Sequence, residues 1–309
     1  MSHAVELEHI TKSFGKFVAV DDLTLQIPAH TIYGFIGPNG SGKTTTLRMI
    51  MRIYLPDRGR VCVLGDESWH AANDRVGYLP EERGLYKQMK VKDVLRFYAE
   101  LKGLRDSKQA IVDWLERMNL TAWADKKVET LSKGMSQKVQ FISTVIAKPD
   151  LVLLDEPFSG LDPVNAEVFR ESILELKRTG TTVIFSTHDM AVAEKMCDFI
   201  FMIYKGKKVL DGTLDNIQNT YGDDTVRVRL DGNVALEGLP GVGKVADFGR
   251  FQELRLVEGA DPQHILAALM QRGPVRLFEQ TRPSLHDIFV RIAAPTEEES
   301  VLPQGLDGT

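Results

Sequence analysis

Residues 31–50 read TIYGFIGPNGSGKTTTLRMI. Ile32, Tyr33, Phe35 and Ile36 make a short apolar run of the kind that forms a buried strand. The run breaks into a glycine-rich turn, and Lys43-Thr44-Thr45 then opens a helix carrying Leu47, Ile50 and Met51. Strand, loop and helix together fit G-x-x-x-x-G-K-[ST] in the context that gives this pattern meaning. Glycines let successive backbone N–H groups point inward at a helix N-terminus, which makes a nest for phosphate. Lys43 supplies a point charge for β- and γ-phosphates, and the Thr44 hydroxyl suits a Mg²⁺ ion that keeps most of its waters. The stretch therefore implies nucleoside triphosphate binding through Gly37, Pro38, Asn39, Gly40, Ser41, Gly42, Lys43, Thr44 and Thr45.

On either side of this stretch the chain alternates strands with helices. Residues 5–10 and 23–27 show period-two alternation, and Lys12-Ser13-Phe14-Gly15 turns between them with an aromatic side chain at its tip. Strands follow at 60–64 and 75–79. From residue 91 to about 120 the period becomes helical, with Val94, Leu95, Tyr98 and Leu101 on one face, as in a helical insertion into an α/β core. A further helix runs from the segment 131–137 to 147. Leu151-Val152-Leu153-Leu154 is apolar throughout, which suits a strand covered on both faces in a parallel sheet. A helix at 163–177 and strands at 181–186 and 199–204 complete an α/β domain expected to span 1–220, with its helical subdomain at about 85–147. Near 219–224 the rhythm changes. Strands at 225–230, 245–248, 253–257 and 275–278 and helices at 262–270 and 284–292 predict a small α+β domain over 221–294. With a short helix at 233–237 its order becomes ferredoxin-like. The acidic, then Pro/Gly-rich segment 295–309 reads as disordered.

Composition narrows the class. The chain has 309 residues, 43% of them hydrophobic, and a formal charge of −5, which argues against a general nucleic-acid binder. Its two cysteines, Cys62 and Cys197, read as buried free thiols of a reducing compartment. MSHAVELEHI is too polar for a signal peptide, and the longest apolar run, 199–204, is too short to span a bilayer. A membrane role is thus expected to come through a partner.

The reaction chemistry is set by Asp155-Glu156, which end the apolar run at 151–154, where α/β sheets place ligands. Asp155 can hold the Mg²⁺ hydration shell, and Glu156 sits one residue on, where a carboxylate can deprotonate an attacking water. A second glycine pattern, Gly238 to Lys244, repeats the spacing of the first. It lacks the hydroxyl, since Val245 stands in that place, and a strand follows it rather than a helix. No nucleotide site is expected there.

Leu131-Ser132-Lys133-Gly134-Met135 resembles the LSGGQ signature of ATP-binding cassette (ABC) ATPases. The resemblance covers residues 1 to about 215, and its other motifs stand in order. It implies that Phe14 stacks on adenine, that Glu81 takes the place of a glutamine near the metal, that Asp162 belongs to the D-loop Ser159-Gly160-Leu161-Asp162, and that His188 is the switch histidine. It also implies a head-to-tail dimer in which Ser132 and Gly134 meet the partner's ATP, and a separate integral membrane permease contacted through the helical insertion. The location implied is the cytoplasmic face of the cell membrane. The segment 77–86 and the C-terminal Pro283 to Phe289 resemble bacterial sodium- and drug-export ATPases. The competing class, soluble ABC ATPases acting on ribosomes or DNA, usually carries two cassettes or a long coiled-coil insertion. Neither is visible here. Three positions depart from the family pattern: Lys133 replaces glycine, and Met135 and Glu81 replace glutamine. Glu81 would repel a γ-phosphate when metal is absent, and Lys133 is expected to remain in solvent.

Overall fold

The protein is described from a computed structural model, covering residues 2–67, 74–82, 84–222, 225–232, 236, 238–257 and 259–293. Its contacts divide the chain into two compact units, 1–213 and 214 onward. The helix Leu214–Tyr221 thus goes with the second unit, whereas the sequence suggested a boundary after 220.

The first unit runs β1 (His3–Phe14), β2 (Phe17–Pro28), β3 (Ile32–Ile36), α1 (Lys43–Ile50), β4 (Arg58–Val63), β5 (Val76–Leu79), α2 (Val91–Leu101), α3 (Lys108–Arg117), α4 (Lys133–Val145), β6 (Leu151–Asp155), α5 (Pro163–Arg178), β7 (Thr182–Thr187), α6 (Met190–Met196), β8 (Phe199–Tyr204) and β9 (Lys207–Gly212). Six strands form one sheet in the order β5-β6-β7-β3-β8-β9, parallel except for β9, while β2-β1-β4 form a separate antiparallel sheet.

The apolar runs make sense once the two cores are located. Along β6, Val152 and Leu154 enter a core shared with α2, α3, α4 and α5, and Leu151 and Leu153 enter another built from β1, β2 and α1. Strands β3 and β7 alternate in the same way, Ile32 and Val183 on one side, Tyr33, Phe35 and Ile184 on the other. A strand that feeds two cores has no polar face, and every residue of β3, β6 and β7 is buried. Parallel register then aligns the strand ends, pairing Asp155 with Ser186 and Ile36 with Thr187. The loops leaving β3, β6 and β7 therefore emerge side by side.

Two local expectations change. The helical stretch after 91 is two helices, and α2 buries Val91, Val94, Leu95 and Ala99 but leaves Leu101 64% exposed at the edge of its stripe. Strand β9, with the charged sequence KKVLDG, has no periodic signal and lies at the sheet edge, where polar residues suit an open flank.

The second unit contains α7 (Leu214–Tyr221), β10 (Thr225–Leu230), β11 (Val242–Asp247), β12 (Gln252–Leu256), α8 (Pro262–Arg272), β13 (Val275–Thr281) and α9 (Leu285–Ala293). Its sheet is antiparallel in the order β11-β12-β10-β13, and Val226, Val228, Leu254, Ile265 and Leu269 form its core. A central β10 and β12 flanked by β13 and β11 is the strand order of a ferredoxin-like arrangement. Of the helix expected at 233–237 only Leu236, a buried residue, is among the described residues, and the tail at 295–309 lies outside them. Lys244 and Val245 of the second glycine pattern fall within β11, with Lys244 exposed and Val245 paired with Leu254.

Candidate functional site

Between β3 and α1 the loop 37–42 is shaped by its glycines. Gly37 has φ +148°, and a Cβ there would lie 2.2 Å from the Ile203 carbonyl oxygen. Gly42, at φ +114°, caps α1, and a Cβ there would come within 2.5 Å of the Ala19 oxygen. No L side chain fits either place. Lys43, the first residue of α1, is buried and donates from Nζ to the carbonyl oxygens of Gly37 at 2.7 Å and Pro38 at 3.1 Å. Burial holds this amine below the ordinary lysine value, although Glu156, Asp155 and Glu81 pull the other way.

The end of β6 meets this loop. Thr44 Oγ1 donates to Asp155 Oδ1 at 3.0 Å, and Ser186 Oγ donates to the same oxygen at 2.6 Å. Ser186 also accepts the Glu156 backbone N–H at 2.9 Å. Glu156 has φ +50°, a left-handed backbone that costs a non-glycine residue about 1–3 kcal/mol and is found where a site demands it. Its side chain is only 9% exposed, with Oε1 3.8 Å from Lys43 Nζ and Oε2 3.1 Å from His188 Nδ1. Lys43, Thr44, Asp155, Glu156 and His188 thus form one connected cluster.

Three buried oxygens in or beside it, Ser41 Oγ, Asp155 Oδ2 and Glu156 Oε1, have no hydrogen-bond partner among the described residues. Buried polar atoms are seldom left so, and orphaned oxygens beside a lysine and a nest of N–H groups fit a hydrated cation and a phosphate chain. The donor set is hydroxyl and carboxylate oxygen, which matches Mg²⁺. Glu81 is exposed and lines a cleft of about 140 Å³ together with Asp155 and Glu156.

The remaining expected residues stand apart from that cluster. Phe14 ends β1, is 45% exposed, and meets Tyr54 edge-on with ring centroids 5.3 Å apart. Ser132 caps α4, its hydroxyl accepting the Met135 N–H at 3.3 Å. Asp162 caps α5 by accepting from Asn165 N at 2.9 Å, and this bond holds its carboxyl below the usual range. Gly134 faces Asn165 and Leu161, so the signature and the D-loop are neighbours. Met135 packs on the helical core. Lys133 is an exposed residue, yet its tail lies over Gly160, with Nζ 3.0 Å from where a Cβ would stand. Sequence reading passed over Ser186, whose signal is a hydroxyl two residues before His188, and Gln137, which donates to the Pro157 carbonyl at 2.7 Å.

Comparison with known proteins identifies the family. The sequence profile of the ABC transporter family matches residues 20–159, and that of the C-terminal domain of DrrA1-3-like ATP-binding proteins matches 212–293. The chain is 42% identical over 287 residues to the uncharacterized ABC transporter ATP-binding protein YhaQ of Bacillus subtilis, covering 92% of this chain and 96% of that one. It is 31% identical over 296 residues to Nod factor export ATP-binding protein I of Sinorhizobium fredii, covering 94% and 85%. A solved ATP-binding subunit of an ABC transporter superposes with a TM-score of 0.67 at 28% identity, over 71% of this chain and 93% of that one. The chain belongs to the ABC transporter ATP-binding proteins, the ATP-hydrolysing subunits of these transporters.

Proposed function

We propose that this protein is the ATP-driven motor of a membrane exporter, working as a head-to-tail pair of copies against a separately encoded permease at the cytoplasmic face of the membrane. The observation that carries the reading is Glu156, held in a left-handed backbone with one carboxylate oxygen beside Lys43 and the other on His188. The outward direction is supported by the export function named for the Sinorhizobium relative. Among the described residues no helix is long and apolar enough to cross a membrane, so a spanning partner is part of the proposal.

The chemistry follows from the residues. Lys43 binds the β- and γ-phosphates with the N–H groups of Gly37 to Thr45, giving up the Gly37 and Pro38 carbonyls it holds otherwise. Mg²⁺, when bound, would be held by Thr44 and Asp155, with Glu81 near, and would neutralise phosphate oxygens. Glu156 accepts the proton of the water that attacks the γ-phosphorus as the bond to the β-phosphate oxygen breaks. His188 fixes the carboxylate through Oε2 and leaves Oε1 for the water. Phe14 stacks on adenine, and Ser132, Gly134 and Asp162 serve the partner copy's nucleotide, a two-fold arrangement that builds two sites at once. ATP thereby closes the pair and hydrolysis opens it. The second unit, from 214 onward, is an accessory domain that supports pairing or regulates it.

Glu156→Gln is expected to bind ATP while hydrolysing it about a hundredfold or more slowly, the scale of losing a general base. The tagged variant, extracted from native membranes with ATP and Mg²⁺, should bring down a polytopic membrane protein in stoichiometric amount. Ribosomal or DNA-bound partners without a membrane protein would replace the exporter with a soluble ABC function. Hydrolysis at the normal rate would remove Glu156 from the base role.

A further inference from the structure

The cleft beside Glu156 holds more negative charge than its visible cations balance. Glu81, Asp155 and Glu156 line it together with Lys133, Gln137 and Ser159. The buried cation nearby, Lys43, donates to two loop carbonyls. Lys133 is therefore the second positive charge at this cleft, and it is delivered by the first residue of α4.

Helix α4 also fixes the segments that carry the carboxylates. Gln140 Nε2 donates to the Glu82 carbonyl at 3.2 Å, and Gln137 Nε2 donates to the Pro157 carbonyl at 2.7 Å. Glu81 and Glu156 are each one residue from a tether to the helix that begins with Lys133. Gly160, at φ +72°, leaves room for the lysine tail to pass, where any Cβ would crowd Nζ and Cε. Among the described residues Lys133 makes no hydrogen bond or contact ion pair.

We propose that Lys133 is a positioning cation for the nucleotide site of its own chain, drawn to the cleft by Glu81 and offsetting that carboxylate when a triphosphate binds. Glu81 and Lys133 then form one compensated pair. This rests on the proposed nucleotide site. It differs from a signature-motif role in trans because it operates in a single copy. A unit charge acting across a half-wet cleft changes an anion's affinity by roughly three- to tenfold.

The test is ATP binding to the full-length protein in EDTA, at protein concentrations where it is monomeric, read by displacement of a fluorescent ATP analogue. Lys133→Met should weaken ATP binding about fivefold, Lys133→Arg should restore it to within about twofold, and ADP, which lacks the γ-phosphate, should change less than about twofold. The loss should shrink as salt rises from about 50 to 300 mM. Glu81→Gln should tighten metal-free ATP binding, and in that background Lys133→Met should cost less than half as much, because the lysine is no longer drawn in. Equal ATP affinity of Lys133→Met and the natural chain, or strictly additive effects of the two substitutions, would overturn the proposal. Failure of the natural chain to bind ATP at all would instead sink the nucleotide site itself.

Discussion

At the residue scale, the decisive group is the Lys43 amine. Its burial disfavours the charged form, so in the free protein it loses its proton below the ordinary lysine value of 10.5. A bound phosphate chain restores the preference for charge and raises that value again. Between the two, nucleotide binding must take up a proton. Calorimetric titration with ATP in two buffers of different ionisation enthalpy should show uptake that is small near neutrality and grows as pH rises into the alkaline range. Uptake that does not vary with pH would contradict it. The sign for stability is the same argument reversed: the free fold carries a cost from the ionised amine, and that cost is relieved as pH climbs through the lowered value. Lys43, Thr44, Asp155 and Glu156 were all legible in the sequence, because a phosphate nest and a carboxylate pair need fixed residue types at fixed spacing. Ser186 was not. Its hydroxyl bridges Asp155 and the Glu156 N–H across two strands, and only parallel register brings them together.

At the scale of elements, the two-core arrangement explains what could be read and what could not. Strands β3, β6 and β7 announce themselves because each residue goes into one core or the other. Leu153, fully buried among the β1, β2 and α1 side chains, is a direct test. Leu153→Ala should lose about 2–5 kcal/mol in denaturant unfolding, and a loss under about 1 kcal/mol would mean that the second core collapses around the gap. Strand β9 and helix α7 were hidden for the opposite reason. KKVLDG at a sheet edge and LDNIQNTY with one buried residue, Ile217, carry too few apolar positions to show a period. Leu101 misled in its own way, since a leucine at the margin of a helical stripe matches the pattern without being covered.

For the whole molecule, the two units differ in what should stabilise them. The residues proposed to bind phosphate all lie in the first, while the second has a core of its own around Val226, Leu254 and Leu269. Scanning calorimetry of the full chain should resolve two transitions, of which ATP with Mg²⁺ moves one. At about a hundred times its dissociation constant the ligand adds about 2.7 kcal/mol to the state that binds it. A single transition that shifts as a whole would show instead that the units melt together. The left-handed backbone at Glu156 has a different bearing on the molecule as a material to be engineered. Glycine or asparagine would sit there with less strain. A mutant library screened only for survival of heating would therefore be enriched in chains that have exchanged the carboxylate for comfort, and with Glu156 the base proposed above, the hardiest of them would be motors that grip their fuel and never burn it.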